Sequence, residues 1–120
     1  MKKNARIRIR RDFVKVSESG FYYRSAVLVV QCAPNNGLDR FRVGFTASKK
    51  VGNAVVRNRC KRRMRAAADI IFPEYAISGV DYDFIARKST FTAEWTDLLD
   101  ICKSAVVYLN RKISKCKKSQ

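Results

Sequence analysis

The chain's 120 residues predict a small α/β sandwich of two or three layers. Three observations support it. Two β-rich runs, SAVLVVQC at 25–32 and RFRVGFTAS at 40–48, flank the turn-forming APNNGLD. A third, VDYDFIARKS, follows at 80–89. The strongest helical pattern, TAEWTDLLDICKSAVVYLNRKI, comes last and places Trp95, Leu98, Leu99, Cys102, Val106, Leu109 and Ile113 on one face. The length and a hydrophobic fraction of 47% suit one domain, 1–120, with one core.

Each element has a local reason. Residues 1–11 carry six Lys or Arg and predict a flexible basic arm over about 1–10. Asp12 is a candidate N-cap for a short helix that ends near Gly20, with Phe13 and Val16 on one side. The run at 25–32 is β-branched, so at least one face is covered. Phe41, Val43 and Phe45 alternate with Arg42, Gly44 and Thr46, the period of a half-buried strand, and the two strands are expected to pair as an antiparallel hairpin. Asn53 caps a helix that Pro73 should stop near Phe72. Glu94 and Asp97 lie near the positive end of the last helix, and 114–120 (SKCKKSQ) read as a frayed basic tail. The resulting order is α-β-β-α-β-α.

Charge narrows the function. The chain holds 26 Lys plus Arg against 10 Asp plus Glu, a net charge of +16, and that self-repulsion calls for a polyanionic partner. No apolar run reaches the ~18 residues of a spanning segment, and MKKNARIRIRRDF lacks the apolar stretch of a secretion signal, so a soluble, cytoplasmic protein is expected. There is no histidine, and Cys32, Cys60, Cys102 and Cys116 are widely spaced, as suits reduced, mostly buried thiols.

The charge concentrates in GNAVVRNRCKRRMRAAA. Six of the nine residues from Arg57 to Arg65 are basic, and no acid occurs between Arg40 and Ala68. Each like-charge pair at four-residue spacing costs a helix roughly 0.2–0.5 kcal/mol. A solvated helix mixes signs to avoid this, so these cations are expected to face phosphate. Arginine predominates, which favours bidentate phosphate contacts and stacking on bases. The apolar stripe of Val56, Cys60, Met64, Ala67 and Ile71 can pack on the sheet but is too thin for membrane insertion. Nucleic acid is the expected partner, and no membrane.

FRVGFTASKKVGNAVVRNRCKRRMR, with RRDF before it and DYDFIARKS after it, closely resembles the protein subunit of bacterial ribonuclease P over residues 6–110. The R-N-R string carries the resemblance. It implies an α+β two-layer sandwich with a left-handed β-α-β crossover, like a domain of elongation factor G. That hand comes from the resemblance alone, since a right-handed connection is the general rule. It further implies that a catalytic RNA subunit, with Mg²⁺ held mainly by that RNA, removes the 5′ leader of precursor tRNA. The protein would bind the RNA and the leader, with no covalent cofactor. By motif, Lys49, Lys50, Arg59, Arg62 and Arg65 match positions that bind the catalytic RNA. Arg57, Asn58 and Lys61 match positions near the leader, and Phe13, Leu28 and Val30 match the leader cleft between the first helix and the sheet.

Two departures bear on that cleft. Ser17 and Val30 stand where the family often has aromatics, and Phe21, Tyr22 and Tyr23 are either replacements or strand-edge and core residues. No catalytic residue is expected in the chain itself. Asp81 and Asp83 are its nearest approach to a carboxylate pair, a pattern more often met as a solvated edge or an arginine partner. A protein-only nuclease would need an acid–base pair or a metal cluster, and a ribosomal RNA-binding protein would lack the R-N-R string.

Overall fold

A computed structural model describes residues 5–118. In chain order the elements are α1 (Arg10–Glu18), β1 (Phe21–Arg24), β2 (Leu28–Ala33), β3 (Arg42–Thr46), α2 (Ala54–Tyr75), β4 (Asp81–Ala86) and α3 (Trp95–Lys118), with 3-10 turns at Lys49–Val51 and Lys88–Thr90. The four strands form one sheet in the order β1-β2-β4-β3. β1 pairs antiparallel with β2, β2 antiparallel with β4, and β3 parallel with β4.

The expected hairpin between the second and third of these strands does not form. β4 enters between them, because five of its six residues are buried and a strand covered on both faces belongs in the middle of a sheet. β3, α2 and β4 make the parallel crossover unit, and the 34–41 connection spans β4 at its Asp81 end, where the Asn36 N–H donates to the Gly79 carbonyl. β1 is an added strand that the sequence-based order lacks. It is four residues long, and its aromatics alternate in and out.

One face of the sheet carries the main core. Leu28, Val30, Cys32, Val43, Phe45, Tyr82 and Phe84 pack against Cys60, Met64, Ala67 and Phe72 of α2 and Leu98, Cys102, Val106 and Leu109 of α3. The Phe72 ring lies 5.5 Å from Phe84 and 5.0 Å from Tyr82. The buried Tyr82 hydroxyl is satisfied twice, donating to Asn110 Oδ1 at 2.7 Å and accepting from the Ile77 N–H at 3.1 Å. The Asn53 side chain accepts from the Val56 N–H, the expected cap. Pro73 does not end α2. It sits in the last turn, which closes through the Ala76 N–H to the Phe72 carbonyl. α3 likewise continues through the first part of the expected tail, with Ile113 still buried.

α1 lies on the opposite face, so the sheet is covered on both sides. Its N-cap is Ile9, not Asp12. The chain before it is docked from residue 5: the Val43 N–H donates to the Ala5 carbonyl and the Ile7 N–H to the Val43 carbonyl, a parallel bridge along β3. This corrects the expected flexible arm over residues 5–9, and residues 1–4 lie outside the described residues. The closest approach between α1 and the sheet is at Gly44, where a Cβ would stand 2.3 Å from Phe13 Cε1 and 2.7 Å from Cζ. Glycine here is a seat for an aromatic ring. Gly44→Ala is expected to cost about 1–3 kcal/mol in urea unfolding through overpacking. Adding Phe13→Ala should recover part of that loss, whereas strictly additive losses would show that the ring and the glycine are independent.

Candidate nucleic-acid interface

α2 buries Cys60, Met64, Ala67, Ala68, Ile71 and Phe72, which turns Asn58, Arg59, Arg62 and Arg65 to solvent and leaves Arg57 and Lys61 half-buried on one flank. At 3.6 residues per turn, Arg59 and Arg65 stand about 120° apart with Arg62 midway. Their surroundings differ accordingly. The Arg59 guanidinium rests over Phe91, 5.4 Å from its centroid, and that of Arg65 over Phe45 at 5.9 Å. Lys49 and Lys50 are exposed on the 3-10 turn before α2, beside a helix N-terminus with no acid in its first turn. That end carries positive dipole as well as positive side chains.

Arg63 belongs to the structure rather than to the exposed face. Its Nη1 donates to the carbonyls of Thr90 at 2.6 Å and Phe91 at 3.1 Å, and its Nη2 to that of Ala93. The loop between β4 and α3 is thereby held to α2. Phe91, the platform of Arg59, is part of that loop. A basic run read from sequence does not reveal which of its members turns inward.

On the α1 side of the sheet lies a groove of about 600 Å³. Its floor is Tyr22 and Arg24 of β1, Val29 and Gln31 of β2, and Ile85 of β4, with Ser17 and Glu18 of α1 as one wall. The register sets Tyr22 opposite Gln31 and Arg24 opposite Val29. Leu28 and Val30, expected in this cleft, are fully buried on the other face, in the core under α2 and α3. Strand side chains alternate, so a phase error of one residue exchanges the two faces. The apolar run VLVV gives no phase; Gln31 is the polar residue that marks the open side. Of the three candidate aromatics only Tyr22 faces the groove, with the Arg24 guanidinium 5.0 Å over its ring. Phe21 and Tyr23 pack toward the core, Tyr23 edge-on to Tyr108. Phe13 is half-buried over Gly44, at the junction of α1 and the sheet.

Asp12, Asp81 and Asp83 are engaged within the fold. Asp81 accepts from Arg42 Nε at 2.9 Å and Nη2 at 2.6 Å, and from Asn36 Nδ2 at 2.9 Å. Arg42 Nη1 reaches Asp12 at 3.2 Å. Asp83 is buried beneath α1 and accepts from the Thr46 hydroxyl at 3.0 Å, and burial pushes its pKa up to about 6 against the opposing effect of that bond. The two neighbours therefore share no site. Among the described residues no three His, Cys, Asp or Glu converge as metal ligands. Cys32, Cys60 and Cys102 are buried and Cys116 is exposed. No described helix is long and apolar enough to cross a membrane.

Comparison with known proteins gives this arrangement a context. A family model described as Ribonuclease P matches residues 1–110. The Ribonuclease P protein component of Caulobacter vibrioides (strain NA1000 / CB15N) is 44% identical over 104 residues, covering 87% of this chain and 70% of that protein. That of Halalkalibacterium halodurans is 41% identical over 114 residues, covering 89% and 92%. Among solved structures, the RNase P protein of Staphylococcus aureus superposes with a TM-score of 0.73 at 29% identity, over 94% of this chain and 97% of that one. The RNase P protein of Thermotoga maritima gives 0.74 at 25% identity, over 88% and 97%.

Two expectations follow from the geometry. Arg63→Ala should lower stability by roughly 2–4 kcal/mol, because it strips a charged donor from three carbonyls, yet leave the salt dependence of RNA binding unchanged. Arg62→Ala should do the reverse, flattening the salt dependence at little cost in stability. Denaturant titration and binding at several salt concentrations separate them. For Asp83, the folded pKa stands above its unfolded value, so the folded state holds the proton more tightly. Its contribution is then greatest at low pH and is lost as pH rises from about 4 to about 6, roughly 3 kcal/mol in all. The stability of Asp83→Asn relative to the native chain should therefore rise across that window and level off above it. A flat difference between pH 4 and 7 would show that Asp83 titrates as if unfolded.

Proposed function

The chain belongs to the Ribonuclease P family, and from that premise we propose that it is the protein component of a ribonucleoprotein that removes the 5′ leader of precursor tRNA. The RNA subunit carries the catalysis and the Mg²⁺. Asp81 and Asp83, the nearest approach to a carboxylate pair, do not suit a metal: Asp81 is held by Arg42 and Asn36, and Asp83 is buried against Thr46. In this reading the exposed α2 face, Arg59, Arg62 and Arg65 with Lys49 and Lys50, binds the catalytic RNA. Arg57, Asn58, Lys61 and Phe13 meet the leader. Leu28 and Val30 leave the leader set because they lie in the core, and Val29, Gln31 and Tyr22 take their place on the groove floor. The protein works in the cytoplasm.

The observation that carries this reading is the helix of one sign. Six basic residues between Arg57 and Arg65, five of them not engaged as Arg63 is, form a surface that repels itself until phosphate covers it. Half-buried Arg57 adds to it, since its Nε is shielded from solvent without an acceptor in the free protein. The groove supplies the complementary part, a stacking ring at Tyr22 and an amide at Gln31. Stacking on a ring contributes roughly 1–3 kcal/mol per base and tolerates any base, as a processor of varied leaders requires.

Nuclease-free protein alone is expected to leave precursor tRNA intact. Together with the catalytic RNA it should produce the mature 5′ end, at a Mg²⁺ concentration where the RNA alone is slow. Cleavage by the protein without RNA would overturn the division of labour, and no effect of the protein on the RNA's Mg²⁺ requirement would overturn its place in the holoenzyme.

A further inference from the structure

Phe45 is the meeting point of two arginines from distant parts of the chain. Arg6, in the segment bridged to β3, holds its guanidinium carbon 4.8 Å from the ring centroid, and Arg65 of α2 lies 5.9 Å from the same point. Phe45 is itself buried in β3, so the ring is a fixed platform. Arg6 Nε is closed off from solvent and has no acceptor. Its pKa is lowered, first by burial and then by Arg65 and Arg8, with Asp69 opposing.

The arginines that serve only the fold look different. Arg63 donates to three carbonyls, and Arg42 to two carboxylates at 2.6–3.2 Å. Each is filled with acceptors. Arg6 and Arg65 are instead brought together on one ring, like charge to like charge, with a shielded donor left over. Asp69 offsets part of this repulsion, and the shielded Arg6 donor still has no acceptor, so an anion between the two forks would complete the pair.

We infer that Arg6 and Arg65, seated on Phe45, form a binding site for the phosphodiester backbone of the RNA partner. The site continues the basic face of α2 around its flank toward the sheet edge. Arginine forks and aromatic support match phosphate in a nucleic-acid strand better than an isolated carboxylate, and the flank continues a surface already free of acids from Arg40 to Ala68. The inference rests on the proposed RNA-binding function and adds to it a second chain segment, near the N-terminus, that the R-N-R motif does not include.

The test measures binding of the full-length protein to the ribonuclease P RNA as a function of KCl, with the melting temperature recorded for each variant. Arg6→Gln should weaken binding several-fold and flatten the slope of log affinity against log salt by about 0.7–0.9, the contribution of one phosphate contact. Arg6→Lys should keep the slope. Arg6→Met retains the aliphatic stem over Phe45 and should match Arg6→Gln, so it decides the outcome if the glutamine variant melts lower. A slope equal to that of the native chain in both Arg6→Gln and Arg6→Met would overturn the site and leave Arg6 as packing on Phe45. A native protein without affinity for the RNA would overturn the functional reading, and the site with it.

Discussion

The Arg42 guanidinium fixes the relation between the two sides of the sheet. It stands between Asp81 on β4 and Asp12 on α1, and its three donating nitrogens tie helix, edge strand and central strand together. The hydrogen bonds hold Arg42 above its ordinary pKa, Asp81 first and burial opposing. Both partners are largely shielded, so removal of one would strand the charge of another, a far larger penalty than a surface pair involves. With α1 anchored at Asp12, Phe13 comes down on Gly44, and the α1 C-terminus is set against β2 where the Ser19 hydroxyl donates to the Cys32 carbonyl at 2.5 Å. The groove exists because these contacts hold α1 at one end of the sheet and leave β1, with Val29 and Gln31 of β2, open beside it.

The second constraint is charge. A net charge of +16 on 120 residues opposes compaction, and the fold meets it by geometry more than by pairing. The cations of α2 are spread round its solvent arc. One of them, Arg63, is withdrawn into a loop of carbonyls, where its charge strengthens hydrogen bonds that neutral donors would make less well. The remaining repulsion is not relieved within the chain. It is a standing bias toward association, and it makes the free protein less stable than its core alone would suggest.

Much of this was legible in the sequence, and the failures have physical causes. The helices followed from apolar spacing and from Asn53, and a nucleic-acid partner followed from unmixed charge, with RNA specified by the family resemblance. The hairpin failed because adjacency along the chain says little about pairing once a crossover can return a strand between two others; only the nearly continuous burial of DYDFIA points to β4 as the centre. β1 escaped notice because four residues after a glycine carry too little periodicity. Leu28 and Val30 lie one position out of phase with the groove floor, because four consecutive apolar residues fit either face. Local rules make Asp12 a cap, but its carboxylate anchors Arg42, a long-range role that those rules do not reach.

Four of the arginines share a further property that bears on binding. Arg59 lies on Phe91, Arg65 and Arg6 on Phe45, and Arg24 on Tyr22. A free arginine side chain loses roughly 2 kcal/mol of rotamer freedom when it is fixed on a ligand. One already resting on a ring has given up part of that freedom on folding, and the ring attracts the cation without consuming its N–H donors. The forks are thus restricted in direction but still open to acceptors. Lys49 and Lys50 are exposed point charges on the 3-10 turn. The surface therefore combines two kinds of cation. In the proposed complex the lysines would supply long-range attraction that any polyanion feels, and the ring-seated arginines the directional contacts to one RNA strand.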